Sequence, residues 1–196
     1  MLRLRSLLVL LPVAAHAAGA ELELAPGYAW STDISASAPV VRGRLGVELP
    51  WVTPSIIGLA ALGDPGVLTH FSQQGGWSGW GVGIEARFHT SGEHRFVAAL
   101  GFGWGQLSKL QVENGDLEGY RGKPAPYVAA AAGYQWVHDD LRLGLELTLD
   151  VFNRVNLVGD LGTRNCPETA ALGFPECPTG RSFPMLGLAV TLGVAQ

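Results

Sequence analysis

The chain has 196 residues, a formal net charge of −4 and only 15% charged residues, with 27 glycines and six tryptophans. Ordinary soluble domains carry about 25% charge, so this composition is already unusual. An acidic balance with no basic run excludes phosphate-backbone binding, and with it a nucleic-acid partner.

The first twenty residues form an export signal. Arg3 and Arg5 start it, Leu7 to Ala15 give an apolar middle, and Ala15-His16-Ala17 is a small-x-small cleavage site. A second cut is available after Ala20, so residues 1–20 are expected as a signal peptide and 21–196 as one domain. The apolar stretch is too short for a spanning helix, which needs about 20 residues, and no later run is long enough either.

Period-2 alternation then recurs along the chain. In 21–31, Leu22, Leu24, Tyr28 and Trp30 share a face. In 41–51, Val41, Leu45, Val47, Leu49 and Trp51 alternate with Arg42, Arg44, Gly46 and Glu48. The stretch 55–62 is apolar on both faces, which leaves its phase open. In 80–88, Trp80, Val82, Ile84 and Phe88 oppose Gly81, Gly83, Glu85 and Arg87. In 95–105, Phe96, Leu100, Phe102 and Trp104 oppose Gly101, Gly103 and Gly105. Val128, Tyr134 and Trp136 mark 126–136. In 141–152, Leu141, Leu143, Leu145, Leu147, Leu149 and Val151 alternate with Arg142, Gly144, Glu146, Thr148 and Asp150. The last segment, 185–194, sets Leu186, Leu188, Val190, Leu192 and Val194 against Gly187, Ala189, Thr191 and Gly193.

Eight strands without intervening helices predict antiparallel hairpins. Connections at 52–54, 89–94 and 138–140 are short, whereas those at 32–39, 63–76, 107–124 and 153–182 are long. A soluble sandwich would turn the apolar faces inward; a transmembrane barrel would turn them outward. Roughly 40 bulky apolar groups exceed what the interior of an eight-stranded barrel holds. The opposite face, glycine-rich with interspersed charge, suits a narrow lumen better than a solvated surface, where glycine weakens strands. The reading is therefore an all-β, closed, antiparallel, up-and-down transmembrane barrel, with a sandwich as the alternative.

In that barrel Arg42, Arg44, Arg87, Arg95 and Arg142 are expected to pair with Glu23, Glu48, Glu85, Glu146 and Asp150 as a lumen charge network. Unpaired charge there would be costly. Threaded from the inner side, Trp30, Trp77, Trp80, Trp104, Phe152 and Phe183 fall near the outer strand ends, and Trp51, Phe88, Phe96 and Trp136 near the inner ends. Two such aromatic girdles mark the two interfaces of a membrane barrel.

In its pattern, its size and its signal sequence the chain resembles the small eight-stranded outer-membrane barrels of Gram-negative bacteria, the OmpX-like and opacity-type proteins and the membrane domain of OmpA. The resemblance implies a cell outer-membrane location with lipid as the surrounding partner. It also implies a C-terminal aromatic residue, from which Leu192-Gly193-Val194-Ala195-Gln196 departs.

Other candidate chemistry is sparse. Cys166 and Cys177 share the longest connection and, in an exported protein, are expected to form a disulfide. Two thiols without a nearby histidine are too few ligands for a metal. Asn114-Gly115 suits a hairpin turn between the fifth and sixth strands. His70 and Ser72 in an outer connection lack an orienting third group, so no catalytic site is expected. "GFGWG", 101–105, lacks the lysine and the following helix of a phosphate loop. No cofactor is implied. The expected role is structural, adhesive or interactive, with connection 153–182 as the contact region for an extracellular partner. The alternatives are a narrow conduit or a binding barrel for a small apolar molecule, then a lipid-modifying enzyme.

Overall fold

A computed structural model describes residues 19–31, 36–63, 75–110, 120–122, 124–159 and 179–195. Among these described residues nine strands follow in chain order: β1 (Ala20–Ser31), β2 (Ala36–Val47), β3 (Val52–Leu62), β4 (Gly75–His89), β5 (His94–Leu110), β6 (Tyr120–Gly122), β7 (Ala125–His138), β8 (Leu141–Gly159) and β9 (Thr179–Ala195). Each long strand pairs antiparallel with its neighbours, and β1 closes the sheet against β9 through pairs such as Leu22↔Val194. The result is a closed eight-stranded barrel. The three-residue β6 is an accessory piece between the ends of β5 and β8.

One end of the barrel carries short turns. At 139–140 a two-residue turn joins β7 to β8, with Asp139 at φ 50°; a positive φ is what tight hairpin turns demand. The turn between β4 and β5 holds Gly92 at φ 102°, a conformation that favours glycine. The longer connections all leave from the opposite end.

Toward that opposite end the strands outrun the alternation. β8 continues to Gly159 and β9 begins at Thr179, which shortens the expected 153–182 connection to 160–178. Pairing persists there while the apolar rhythm lapses, because main-chain bonds do not depend on which face is greasy. At the other end β2 stops at Val47, ahead of the expected end at Trp51. Residues 1–18, Cys166, Cys177, His70, Ser72 and Asn114-Gly115 lie outside the described residues.

The outer wall is apolar. Phe96 is 70% exposed and Leu147 and Leu100 are each 64% exposed, while Arg42, Arg44, Glu85, Arg87, Arg142, Glu146 and Asp150 are all buried. β3 also acquires a phase: Thr53, Ser55, Ile57, Leu59 and Ala61 face inward, and Pro54, Ile56, Ala60 and Leu62 outward.

Candidate functional site: a filled lumen in two layers

Strand alternation aims a fixed set of side chains at the barrel axis, and they sort by height. Nearest the short turns is a ring of charge. Glu48, in the turn after β2, accepts from Arg95 Nη1 at 2.7 Å and pairs through its other oxygen with Arg142. Deeper, Glu23 of β1 pairs with Arg44 and accepts from Arg87 Nη1 at 2.8 Å and from Gln135 Nε2 at 3.1 Å. Arg44 also reaches Glu85 and Glu146, each at 2.9 Å, and Arg87 pairs with Glu146. Higher still, Arg42 pairs with Asp150, whose second oxygen accepts from the Tyr127 hydroxyl.

Most of these contacts cross the lumen. Glu23 and Arg44 sit opposite each other on paired strands. Arg42 and Arg44 on β2, however, meet Asp150 and Glu146 on β8, with β1 and β9 between. Each cross-lumen pair is a tie across the barrel that main-chain hydrogen bonding cannot supply. Ions out of water are tolerated only when mutually paired, and here every arginine of the ring touches at least one carboxylate.

All ten residues expected in the network, Glu23, Arg42, Arg44, Glu48, Glu85, Arg87, Arg95, Arg142, Glu146 and Asp150, lie on the axis or at its mouth. Glu21, which accepts from Thr53 Oγ1 at 3.2 Å, Gln135 and Tyr127 belong to the same layer and were not anticipated. Their signal was present: each shares the parity of the inward residues on its own strand.

Above the charge the lumen turns apolar. Val40, Leu59, Trp77, Leu107, Tyr127, Phe152, Phe183 and Met185 form a buried cluster. Trp77 meets Phe152 edge-on at 6.0 Å, and Tyr127 tilts against the same ring at 5.2 Å. The Trp77 indole donates to the Ala29 carbonyl at 3.5 Å. Glycines on the facing wall make room. A Cβ on Gly105 would lie 2.7 Å from the Phe152 ring, and one on Gly81 would lie 3.1 Å from the Tyr127 ring.

This layer corrects the expected girdle. Phe152 is 0% and Phe183 4% exposed, so both point into the lumen, as does Trp77 at 1%. Depth along the strand suggested the interface, but parity decides the face. Phe152 follows the outward Val151, and Phe183 sits two residues before the inward Met185. Trp30, Trp80 and Trp104 do face outward near the long-connection end, and Trp51, Phe88 and Trp136 lie toward the short turns. Trp51 and Phe88 stack there, 5.9 Å apart.

Glu48 supplies a pH handle outside the strands. Burial by itself would raise its carboxyl, but the Arg95 hydrogen bond and the Arg142 charge outweigh burial and hold it below its ordinary value. A carboxyl held low when folded stabilises fully above the unfolded value and loses that contribution as pH falls through the lowered one. Glu48→Gln should therefore flatten the acid limb of unfolding stability as pH falls from neutral through and below the ordinary carboxylate value of 4.5. Urea titrations across that range measure the slope, and an unaltered slope in the variant contradicts the linkage.

No protein-family model matches the sequence, and no curated protein matches it. The fold does have solved counterparts. Neisserial surface protein A is 10% identical, with a TM-score of 0.58 over 90% of this chain and 96% of that one. The N-terminal β-barrel domain of Pseudomonas aeruginosa OprF is 11% identical, with a TM-score of 0.51 over 90% of this chain and 98% of that domain. At such identities what is shared is the fold, a small closed β-barrel.

Proposed function

We propose that this eight-stranded barrel resides in the outer membrane as a closed, non-conducting protein that acts through the connections at its long-connection end. The carrying observation is its inside-out construction: an apolar outer wall around a buried ionic network. Water would penalise such a wall, whereas lipid welcomes it, and a closed sheet leaves no main-chain edge unpaired in hydrocarbon. On this reading the short turns face the periplasm, residues 1–20 are the export signal, and the long connections, above all 160–178, meet the cell's surroundings. The filled lumen favours display over transport, since ions and aromatic rings occupy the axis in succession.

The expected results are a gel band that shifts on boiling and a flat trace in planar bilayers. A chain that stays soluble without detergent ends the membrane reading. Discrete conductance steps end the closed-lumen reading and favour a narrow conduit.

A further inference from the structure

The outer wall is not uniformly convex. A groove of about 610 Å³ lies across β2 to β5, with Leu45 and Val47 along one side and Leu100 and Phe102 along the other. Pro54 and Ala86, paired across β3 and β4, form its floor, and Ile56 and Ile84, also paired, close its upper part.

Glycine lets the strands on either side of the groove approach closely. At the β2–β3 seam a Cβ on Gly46 would lie 2.7 Å from the Pro54 carbonyl oxygen. At the β4–β5 seam a Cβ on Gly103 would lie 2.0 Å from the Val82 oxygen. Only glycine permits such close approach on the lumen side. Strand alternation then sets the bulky outward side chains Leu45 and Val47 on one side of the β3–β4 pair and Leu100 and Phe102 on the other, with the smaller Pro54 and Ala86 between them.

We propose that this groove is a binding site for an acyl chain of a glycerophospholipid in the periplasmic leaflet, an inference that rests on the membrane reading above. Three observations select that occupant. The lining is almost wholly hydrocarbon, and its one charged residue, Glu85, is buried and pairs with Arg44 inside the barrel, so a partner needing charge complementarity finds none on the outer wall. The volume falls within the roughly 300–1,000 Å³ of small-molecule sites, while the patch is far smaller than the roughly 800 Å² per partner that a stable protein interface buries. The groove also ends, on the short-turn side, one strand position from the Trp51–Phe88 stack, since Pro54↔Ala86 and Val52↔Phe88 are successive outward pairs. Stacked aromatic rings at that depth mark the level of the headgroups.

The test uses the full chain in phosphatidylethanolamine–phosphatidylglycerol vesicles doped with a phosphatidylglycerol carrying a mid-chain diazirine. After irradiation, lipid-modified peptides should concentrate on β2, β3, β4 and β5. Ala86→Phe, which fills the floor from the lipid side, should cut that labelling severalfold. Ala60→Phe, outward on β3 beyond the groove, should leave it intact. The gel shift on boiling verifies that both variants fold, and Ala86→Leu repeats the test with a smaller plug. Even labelling around the belt overturns the site, as does labelling that survives Ala86→Phe. A lipid-free two-chain species in native mass spectrometry, lost in Ala86→Phe, assigns the groove to a second copy and overturns the lipid. A chain that does not float with vesicles overturns the site and the membrane reading together, whereas a floating, evenly labelled chain overturns the site alone.

Discussion

Arg44→Met should be among the most damaging single substitutions in the barrel, costing about 3–5 kcal/mol, the scale for breaking a buried ion pair from one side. Arg44 contacts Glu23, Glu85 and Glu146 from three different strands. Its removal leaves three carboxylates around an apolar side chain. Arg87 still serves Glu23 and Glu146, so Glu85 is the group most exposed to the loss. Arg44→Met combined with Glu85→Met should accordingly lose less than Arg44→Met alone, because the stranded charge leaves with its partner. Arg44→Lys should not rescue, since a point charge on a flexible stem cannot fork toward three acceptors. Urea unfolding in lipid vesicles, followed by tryptophan fluorescence, supplies the ranking. A midpoint for Arg44→Met equal to the parent would show that the ionic layer contributes nothing net.

Gly105→Val is the second large effect, with an expected loss of about 1–3 kcal/mol from overpacking. The new Cβ would collide with the Phe152 ring at 2.7 Å and with the Trp80 carbonyl oxygen at 2.8 Å. The ring can yield; the main-chain oxygen can yield only by moving the β4–β5 seam. Gly58→Ala is the matched control, because a Cβ there meets nothing within 4 Å. It should be close to neutral in the same assay. If Gly105→Val also proved neutral, the aromatic layer would be loosely packed, and the case for a sealed outer lumen would weaken with it. The two layers are chemically distinct, so damage at Arg44 and at Gly105 should combine additively unless Asp150 and Tyr127, which join them, transmit strain.

The barrel's faces were legible in the sequence because one rule governs every strand. A strand has a two-residue period, so Leu143 and Leu145 must share a side and Arg142 and Gly144 the other. The outward turn of the apolar face followed from counting, since the apolar groups outnumber what a narrow interior accepts, and closure followed from the lack of water for main-chain groups in lipid. The same rule, applied consistently, would have set Trp77, Phe152 and Phe183 inside. Their height on the strand points to the girdle, but height carries no information about face.

Residue periodicity thus determined the architecture and the membership of the two surfaces, because both are local properties of an extended chain. Tertiary structure alone decided which charges meet: Arg44 and Glu146 are 102 residues apart and find each other only after the sheet has closed. It also fixed the phase of β3, whose two apolar faces give no local preference, through pairs such as Ile56↔Ile84. The division of the lumen into an ionic and an aromatic layer, and the groove on the outer wall, arise likewise from stagger and curvature. Those depend on how neighbouring strands approach, a quantity that no single strand encodes.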